Sequence, residues 1–260
     1  MSHRIVNTTG TAIPVVESGA GEPALIFLHY WGGSSRTWRG VIARLGGKPR
    51  SIAVDQRGWG GSVATDGRYG LVAMADDAAA VARAAGMNRY VLVGHSMGGK
   101  VAQIVAARRP EAPAGIVLVA SARPTPMPVP EEQRAGMLAS YGSREGVQQA
   151  LSVLAGGPLS LELREQVIAD TLRGADRAKR AWTERGMIED VSAGLAAVTV
   201  PVTVAIGDLD QVEHEGGLRA VFARFLPHAT FRVLKGVGHL SPLEAPDALA
   251  DACTDLLNRL

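Results

Sequence analysis

The pentapeptide Gly94-His-Ser96-Met-Gly98 combines residue types and spacing that indicate nucleophilic chemistry. With 31 glycines in 260 residues, a shuffled chain of this composition would contain about 0.2 copies of Gly-x-Ser-x-Gly, so the motif alone is only suggestive. Its context strengthens it, because the apolar run 90–93 leads directly into it and a helical pattern beginning at Met97 leads out. A serine on such a strand-to-helix turn presents its hydroxyl above the sheet, where a nucleophile is needed.

A serine hydroxyl becomes a strong nucleophile when an imidazole takes its proton and a carboxylate orients that imidazole. Of the six histidines, His239 is the candidate base, because it lies in a glycine-rich loop after a predicted strand. Such loops converge on the ligand-binding crevice of a parallel sheet. Asp208 and Asp210 follow another predicted strand. We favour Asp210 as the acid, because the chain must clear the strand end before a carboxylate can turn toward the imidazole, and we expect Asp208 to stabilise a turn.

Stabilisation of an oxyanion requires backbone N–H groups placed where negative charge develops, and one such donor typically contributes about 3 kcal/mol. Met97, directly after the candidate nucleophile, is the expected first donor. The second donor is expected from the loop His29-Tyr-Trp-Gly32-Gly33, which follows the apolar run 24–28. His95 precedes Ser96 on the turn, and its side chain is expected to point elsewhere.

Three other interpretations of these glycine-rich segments are less well supported. Ser96 could simply cap a helix at a crossover turn. Residues 94–100 have the glycine and lysine spacing of a phosphate-binding loop, but Val101 stands where magnesium coordination needs Ser or Thr. The turn Gly58-Trp-Gly60 fails as a dinucleotide fingerprint, because Val63 occupies the third glycine position.

The predicted elements place these loops at one end of a mainly parallel sheet. Six near-continuous apolar runs are typical of strands covered on both faces by helices: they are 24–28, 51–54, 90–93, 115–120, 202–206 and 230–234. An antiparallel edge strand is predicted over 11–16, and helices are predicted over 71–85 and 97–108. From 122 to about 191 strand patterns are absent and helical spacing takes over, which predicts a helical insertion with Ser160 as one N-cap.

Length and composition favour one large α/β domain with an insertion. The chain of 260 residues is 47% hydrophobic and 20% charged, with a formal net charge of +2. Scattered basic residues argue against a nucleic-acid partner. A single cysteine, Cys253, excludes an internal disulfide and a thiolate metal cluster. The apolar runs are far shorter than the roughly 18 residues of a membrane span, and we expect a cytoplasmic monomer or homodimer that uses no metal or other cofactor and binds no membrane.

Five sequence blocks together resemble the α/β-hydrolase family over nearly the full chain. They are Leu28-His-Tyr-Trp-Gly-Gly33, Asp55-Gln-Arg-Gly-Trp-Gly-Gly-Ser62, Gly94-His-Ser-Met-Gly-Gly99, Gly207-Asp-Leu-Asp210 and Gly236-Val-Gly-His-Leu-Ser-Pro-Leu-Glu244, in the family's order. The resemblance implies a three-layer fold with a mostly parallel eight-stranded sheet. A core of residues 1–121 and 192–260 would carry a helical cap at 122–191, inserted after the sixth strand. The resemblance also implies a catalytic triad of Ser96, Asp210 and His239, with oxyanion donors at Met97 and Trp31.

Some positions depart from the family's pattern or narrow the choice within it. Tyr30 stands where members commonly have glycine, and because a bulky residue adopts positive φ at a cost, a differently shaped loop is expected there. Ser96 in place of Asp argues against dehalogenases and epoxide hydrolases. Leu240 stands where carbon-carbon bond hydrolases often have Trp. The block around Asp55 resembles the family's structural turn, so Arg57 is not expected to be catalytic.

The sequence therefore predicts acyl transfer from a small, largely apolar carboxylic ester or lactone to water through an acyl-enzyme. Candidates for the substrate pocket, any one of which could instead serve only packing, are Tyr30, Met127, Met137, Leu138, Tyr141, Trp182 and Leu240. Carbon-carbon bond cleavage and cofactor-free perhydrolysis on the same triad remain alternatives. A receptor that keeps the fold and binds a small molecule without catalysis is the alternative from another class.

Overall fold

One β-sheet runs through the molecule, which the computed structural model describes over residues 1–109 and 112–260. Its strands are, in chain order, β1 (Ser2–Thr8), β2 (Thr11–Ser18), β3 (Ala24–Leu28), β4 (Ser51–Val54), β5 (Val63–Ala64), β6 (Tyr90–His95), β7 (Pro113–Val119), β8 (Val202–Gly207) and β9 (Thr230–Leu234). Eight strands follow the spatial order β1-β2-β4-β3-β6-β7-β8-β9, and the two-residue β5 pairs with β2 beside this path. Neighbours from β4 across to β9 are parallel, whereas β2 is antiparallel to β1 and β4.

Helices cover both faces of this sheet. They are α1 (Arg39–Arg44), α2 (Leu71–Ala84), α3 (Met97–Arg108), α4 (Glu131–Ser140), α5 (Arg144–Leu154), α6 (Leu161–Arg173), α7 (Asp176–Ala181), α8 (Glu215–Phe225), α9 (Ser241–Glu244) and α10 (Pro246–Leu257). One face packs on α2, α3 and α8, and the other on α1 and α10. The central strands β3, β6 and β7 are buried along their whole length, as their continuous apolar runs predict. The predicted three-layer α/β fold is therefore confirmed.

The outer edge of the sheet differs from the prediction. The strand predicted over 11–16 exists, but β1 pairs along its outer side, so its assignment as the edge is wrong. Val6 is the only buried residue of β1. Polar residues such as His3, Arg4 and Asn7 break up the apolar signal by which strands are recognised in a sequence. A polar edge strand also disfavours pairing with another chain.

The chain between β7 and β8 is mostly helical, and we call its residues 122–191 the cap. It contains α4, α5, α6, α7 and a short π-helix over Trp182–Gly186. Ser160 is the N-cap of α6, and its hydroxyl accepts the Leu163 N–H at 3.3 Å. Within the described part of the chain, no helix has both the length and the apolar character that crossing a bilayer requires.

Candidate active site

Ser96 lies on the turn between β6 and α3 in a backbone conformation that residues other than glycine rarely adopt. Its φ is 51° and its ψ is −114°, a strain that costs on the order of 1–3 kcal/mol. The Ser96 N–H donates to Val119 O at 3.0 Å, and the Ser96 carbonyl accepts the Ala122 N–H at 3.1 Å. Its side chain caps no helix N–H, so the helix-cap interpretation is wrong. The surrounding hydrogen bonds hold a strained turn that leaves the hydroxyl available.

The loop after β9 brings His239 to the carboxylate of Asp210. His239 Nδ1 donates to Asp210 Oδ2 at 2.9 Å, and both side chains are buried. Asp210 Oδ1 accepts the N–H groups of Val212 at 2.8 Å and Glu213 at 3.0 Å, which fix the direction of the carboxylate. Asp208 instead accepts a backbone N–H of the loop after β9 at 2.7 Å. The structure thus pairs the imidazole with Asp210 and leaves Asp208 in a turn.

Burial and charge act in opposite directions on this pair. Burial lowers the pKa of His239, but the charge and hydrogen bond of Asp210, together with the charges of Glu213 and Glu244, outweigh burial, so the pKa of the imidazole lies above its usual 6.5. Burial raises the pKa of Asp210, but the charge and hydrogen bond of His239, together with the N–H groups of Val212 and Glu213, outweigh it, and that pKa lies below its usual value. An ionised carboxylate therefore lies beside an imidazole that accepts a proton readily, as a general base must.

His95 connects the turn at Ser96 to the loop that carries His239. Its Nε2–H donates to the His239 carbonyl oxygen at 2.8 Å, and the two ring centroids are 5.3 Å apart. Burial, followed by the nearby charge of His239, lowers the pKa of His95 well below 6.5, so its ring stays neutral. The Ser96 hydroxyl makes no hydrogen bond within the described residues. Catalytic hydrogen bonds often tighten only when substrate binds.

Two backbone N–H groups near this turn are available to a ligand. Within residues 1–109 and 112–260, no atom accepts a hydrogen bond from the N–H of Met97, the first residue of α3, or from that of Trp31. The loop that carries Trp31 begins close to α3, since a Cβ built on Gly98 would lie 2.6 Å from His29 O. Free N–H groups in this arrangement can bind a developing oxyanion.

The loop after β3 accommodates Tyr30 without a left-handed backbone conformation. The positive φ in this loop falls at Gly32, at 97°. Tyr30 is not among the described non-glycine residues with positive φ, which are Ser96 and Ala120. Tyr30 therefore avoids the costly conformation, and Gly32, two positions later, adopts it. The Tyr30 ring packs on His95 instead, with centroids 5.0 Å apart.

The cap contacts the same loop through Tyr141. The Tyr141 ring stacks on Trp31, with centroids 3.7 Å apart and planes at 10°. The Tyr141 hydroxyl donates to Trp31 O at 3.4 Å, and Thr171 Oγ1 donates to Gly32 O at 3.2 Å. Tyr141 therefore supports the residue whose N–H is the second candidate oxyanion donor.

The remaining pocket candidates differ in burial. Those that are buried are Met127, Trp182 and Leu240, and those that are half-buried are Met137 and Leu138 on α4. Leu240 follows His239, and its N–H donates to Leu154 O in the cap at 3.1 Å. Among the described residues, no hydrogen bond or ring contact joins Ser96 to the other candidates, which are Met127, Met137, Leu138 and Trp182. Their role in a pocket stays a prediction.

Three charged side chains of the sequence motifs have structural contacts. Lys100 is fully buried, and its Nζ donates to Gly186 O in the cap at 3.0 Å, while burial lowers its pKa to about 8. A lysine enclosed in this way is not presented to a phosphate group, which argues against the phosphate-loop interpretation. Arg57 is buried and forms an ion pair with Asp77, in which Arg57 Nε lies 2.6 Å from Asp77 Oδ2. Asp55 accepts two loop N–H groups, at 2.7 and 2.8 Å, as a structural turn requires.

Other candidate sites are less well equipped for chemistry. No group of three His, Cys, Asp or Glu side chains in the described part of the chain is placed to share a metal ion. A cavity of about 720 Å³ lies between the start of α2 and α7, away from Ser96. Its lining combines arginines with carboxylates, and one such pair, Arg180 and Glu184, lies 3.6 Å apart. The groups suited to catalysis are those around Ser96.

Comparisons with known proteins agree with the fold. The profile of the alpha/beta hydrolase family matches residues 25–252. The chain is 26% identical to 2-(acetamidomethylene)succinate hydrolase from Mesorhizobium japonicum, over 98% of this chain and 95% of that protein. It is 29% identical to non-heme haloperoxidase from Rhodococcus erythropolis, over 90% of this chain and 92% of that protein. An esterase from Exiguobacterium antarcticum has a similar structure, with a TM-score of 0.90, 20% identity and coverage of 99% and 100%. The profile match over most of the chain shows that this protein belongs to the alpha/beta hydrolase family of enzymes.

Proposed function

We propose that the protein is a serine hydrolase that cleaves a small, largely apolar carboxylic ester or lactone through an acyl-enzyme. The proposal rests on the buried pair of His239 and Asp210, 2.9 Å apart, which His95 attaches to the strained turn at Ser96. A serine on such a turn, a base and a carboxylate that orients the base are the groups that acyl transfer needs.

In the first half of the reaction, Ser96 Oγ attacks the carbonyl carbon of the substrate while His239 Nε2 takes the hydroxyl proton. Asp210 stabilises the resulting imidazolium, and the N–H groups of Met97 and Trp31 bind the oxyanion. Collapse of this intermediate breaks the bond to the alcohol oxygen. The imidazolium returns its proton to that oxygen, so the alcohol leaves and the acyl group stays on Ser96.

In the second half, water replaces the alcohol at the acyl-enzyme. His239 takes a proton from the water as its oxygen attacks the acyl carbon, and the same N–H groups bind the second oxyanion. The bond to Ser96 Oγ then breaks, and the imidazolium returns the proton to the serine. A carboxylic acid leaves, and with a lactone the acid and the alcohol belong to one open-chain product.

The enclosure of the site supports a small, uncharged acyl group. Ser96 is 8% exposed and His239 is 2% exposed. Trp31, in the candidate oxyanion loop, and Tyr141 of the cap are buried with their rings stacked, and Leu240, the residue after His239, is buried as well. An ionised substrate group in such surroundings would lose its hydration without gaining a partner. That loss costs roughly 2–7 kcal/mol for a neutral polar group and more for an ion.

Cofactor-free perhydrolysis is the second candidate activity, with hydrogen peroxide in place of water as the acyl acceptor. The observation that favours it is the similarity to the non-heme haloperoxidase over 90% of this chain. Both activities share the acyl-enzyme on Ser96 and differ only in the molecule that attacks it. Adding hydrogen peroxide to an ester assay and measuring peracid against carboxylic acid separates the two.

A substrate panel tests the proposed activity. We expect turnover of short-chain 4-nitrophenyl esters or small lactones, with activity that declines as the acyl chain lengthens. The panel includes 2-(acetamidomethylene)succinate and a dienol substrate of carbon-carbon bond hydrolases. A folded protein that turns over the dienol but no ester or lactone would replace the proposal with carbon-carbon cleavage. A folded protein that turns over none of them would favour the receptor.

Replacing Tyr141 with alanine is expected to lower kcat by about tenfold, because the stack that holds Trp31 is lost and one oxyanion donor shifts. Complete removal of a donor costs about 10²–10³ in kcat. Tyr141→Phe keeps the stack and loses only the long hydroxyl contact of 3.4 Å, so its kcat should stay close to that of the wild type. Steady-state kinetics give the kcat of both variants and of the wild type, and melting temperatures show that both variants are folded. An unchanged kcat in a folded Tyr141→Ala would show that the stack does not position the donor.

A further inference from the structure

Glu244 ends the short helix α9, five residues after His239, and its carboxylate bridges two segments of backbone. Oε2 accepts the Gly156 N–H at 2.7 Å and the Gly238 N–H at 3.1 Å. Oε1 is buried and has no hydrogen-bond partner among the described residues. Gly156 lies in the cap, between α5 and α6, whereas Gly238 immediately precedes His239. One carboxylate oxygen therefore joins the cap to the loop of the proposed base.

The two backbone segments that Glu244 joins are in direct contact. A Cβ built on Gly238 would lie 2.2 Å from the Gly156 nitrogen, so no larger residue fits there without displacing the cap. The Leu240 N–H donates to Leu154 O at 3.1 Å, on the other side of His239. The cap segment 154–156 thus holds the loop 238–240 on both sides of the imidazole-bearing residue.

Helix α5 connects this contact to the oxyanion loop. It begins three residues after Tyr141, which stacks on Trp31, and ends two residues before Gly156. The cap is therefore attached to both functional loops through the two ends of one helix. At the base end the attachment has two parts: the bond from Leu240 to Leu154, and Glu244, whose side chain is the shared acceptor for Gly156 and Gly238.

The charge of Glu244 also reaches the base. Burial, together with the Asp210 charge, raises the pKa of Glu244, although backbone N–H groups act to lower it. The carboxylates that raise the pKa of His239 are, in decreasing order, those of Asp210, Glu213 and Glu244. A hydrogen-bonding role and a charge role can therefore be separated experimentally by a substitution that keeps the acceptor and removes the charge.

We propose that Glu244 is a positioning residue for His239, which fixes the backbone of the base by bridging Gly238 to Gly156 of the cap. This inference rests on the proposed hydrolase function, since it concerns the base of that reaction. Glu244 acts through the loop and touches neither the reacting atoms nor the Ser96 hydroxyl. Without the bridge, the loop and the cap segment lose their common acceptor, and the imidazole moves from its productive position.

Two substitutions separate the contributions of the bridge and the charge. Glu244→Gln keeps an acceptor oxygen at the position of Oε2. Its amide nitrogen takes the position of Oε1, which has no hydrogen-bond partner among the described residues. We expect its plateau kcat to stay close to that of the wild type. Glu244→Ala removes the acceptor, and we expect kcat to fall by about 10- to 100-fold, with a smaller change in KM, because a small displacement of a catalytic group is costly. In both variants the acid limb of the pH profile should move to lower pH, since the Glu244 charge no longer raises the pKa of His239.

Asp247→Ala is the matched control, because this exposed carboxylate lies three residues further on and pairs with Arg44 on the surface. It should leave kcat and the pH profile unchanged. Wild-type kcat in Glu244→Ala, or a kcat in Glu244→Gln as low as that in Glu244→Ala, would overturn the proposal. Melting temperatures of all three variants show whether a loss of kcat follows a loss of folding.

Hydrogen exchange tests the bridge independently of ester hydrolysis. Glu244→Ala should speed amide exchange in peptides that cover 154–156 and 236–240, and Glu244→Gln should not. Unchanged exchange in Glu244→Ala would overturn the bridge even if the enzyme is an esterase. If the wild-type protein hydrolyses neither an ester nor a lactone, the proposed function fails, and faster exchange confined to these two segments would still support the bridge.

Discussion

Ser96→Ala is expected to lower kcat/KM for a short-chain 4-nitrophenyl ester by about 10⁴-fold or more, because only binding and the oxyanion N–H groups would remain to accelerate hydrolysis. The Ser96 hydroxyl makes no hydrogen bond within the described residues, so its removal deletes no structural contact. At the φ of 51° that Ser96 adopts, alanine meets about the same steric cost as serine, because both side chains begin with a Cβ. We therefore expect a melting temperature within about 2 °C of the wild type. Ester kinetics and thermal melts on the same preparations measure both effects.

Ser152→Ala provides the control for removing a serine hydroxyl. Ser152 is exposed on α5, and its hydroxyl donates to the nearby Gln149 O at 2.7 Å. This variant should keep the kinetics of the wild type. If Ser96→Ala kept wild-type kcat/KM, a different group would be the nucleophile and the acyl-enzyme on Ser96 would be refuted.

Asp210→Asn is expected to lower the maximal kcat/KM by about 10³- to 10⁴-fold, because asparagine cannot stabilise the imidazolium and can hold the wrong tautomer. Its pH profile should change as well. The wild-type profile should lose activity as pH falls through the pKa of His239, which lies above 6.5, because a protonated imidazole accepts no proton. Asparagine removes the charge that raises this pKa, so the acid limb should move to lower pH. Measurement of kcat/KM between pH 4 and pH 9, roughly the range in which a histidine titrates, tests both effects.

Asp208→Asn is the matched control for this substitution. Asp208 lies two residues away on the same loop, and an asparagine oxygen can still accept the Gly236 N–H that Asp208 Oδ1 accepts at 2.7 Å. Both the maximal activity and the acid limb should stay close to those of the wild type. Equal losses in Asp208→Asn and Asp210→Asn would point to a disturbed loop and against a specific role for Asp210.

The fold was predictable from the sequence because its central strands are covered on both faces. Each of these strands is a continuous apolar run, as in 24–28 and 90–93, and such short runs are typical of strands buried between two layers of helices. The turn at Ser96 was predictable for a related reason, since two glycines and a serine join a strand to a helix. Strand β1 was missed because an exposed edge strand needs only one buried residue, Val6, and its polar positions carry no apolar signal.

The contacts that assemble the candidate site were less accessible to sequence reasoning. His95 donates to His239 across 144 positions of chain, and a local pattern contains no information about such a distance. Glu244 was visible only as the last residue of a family-like block, and its bond to Gly156 depends on how the cap docks. The stack of Tyr141 on Trp31 has the same origin. The last two contacts join the cap to the core, and the sequence pattern specifies each part separately.

Covalent labelling with a fluorophosphonate, followed by peptide mapping, shows whether Ser96 is the activated nucleophile. We expect one probe per chain, attached to Ser96, with labelling that disappears in Ser96→Ala and slows strongly in His239→Ala because the base is lost. A folded wild-type protein that takes no probe, or that is labelled on another residue while ester hydrolysis stops, would refute a nucleophilic Ser96.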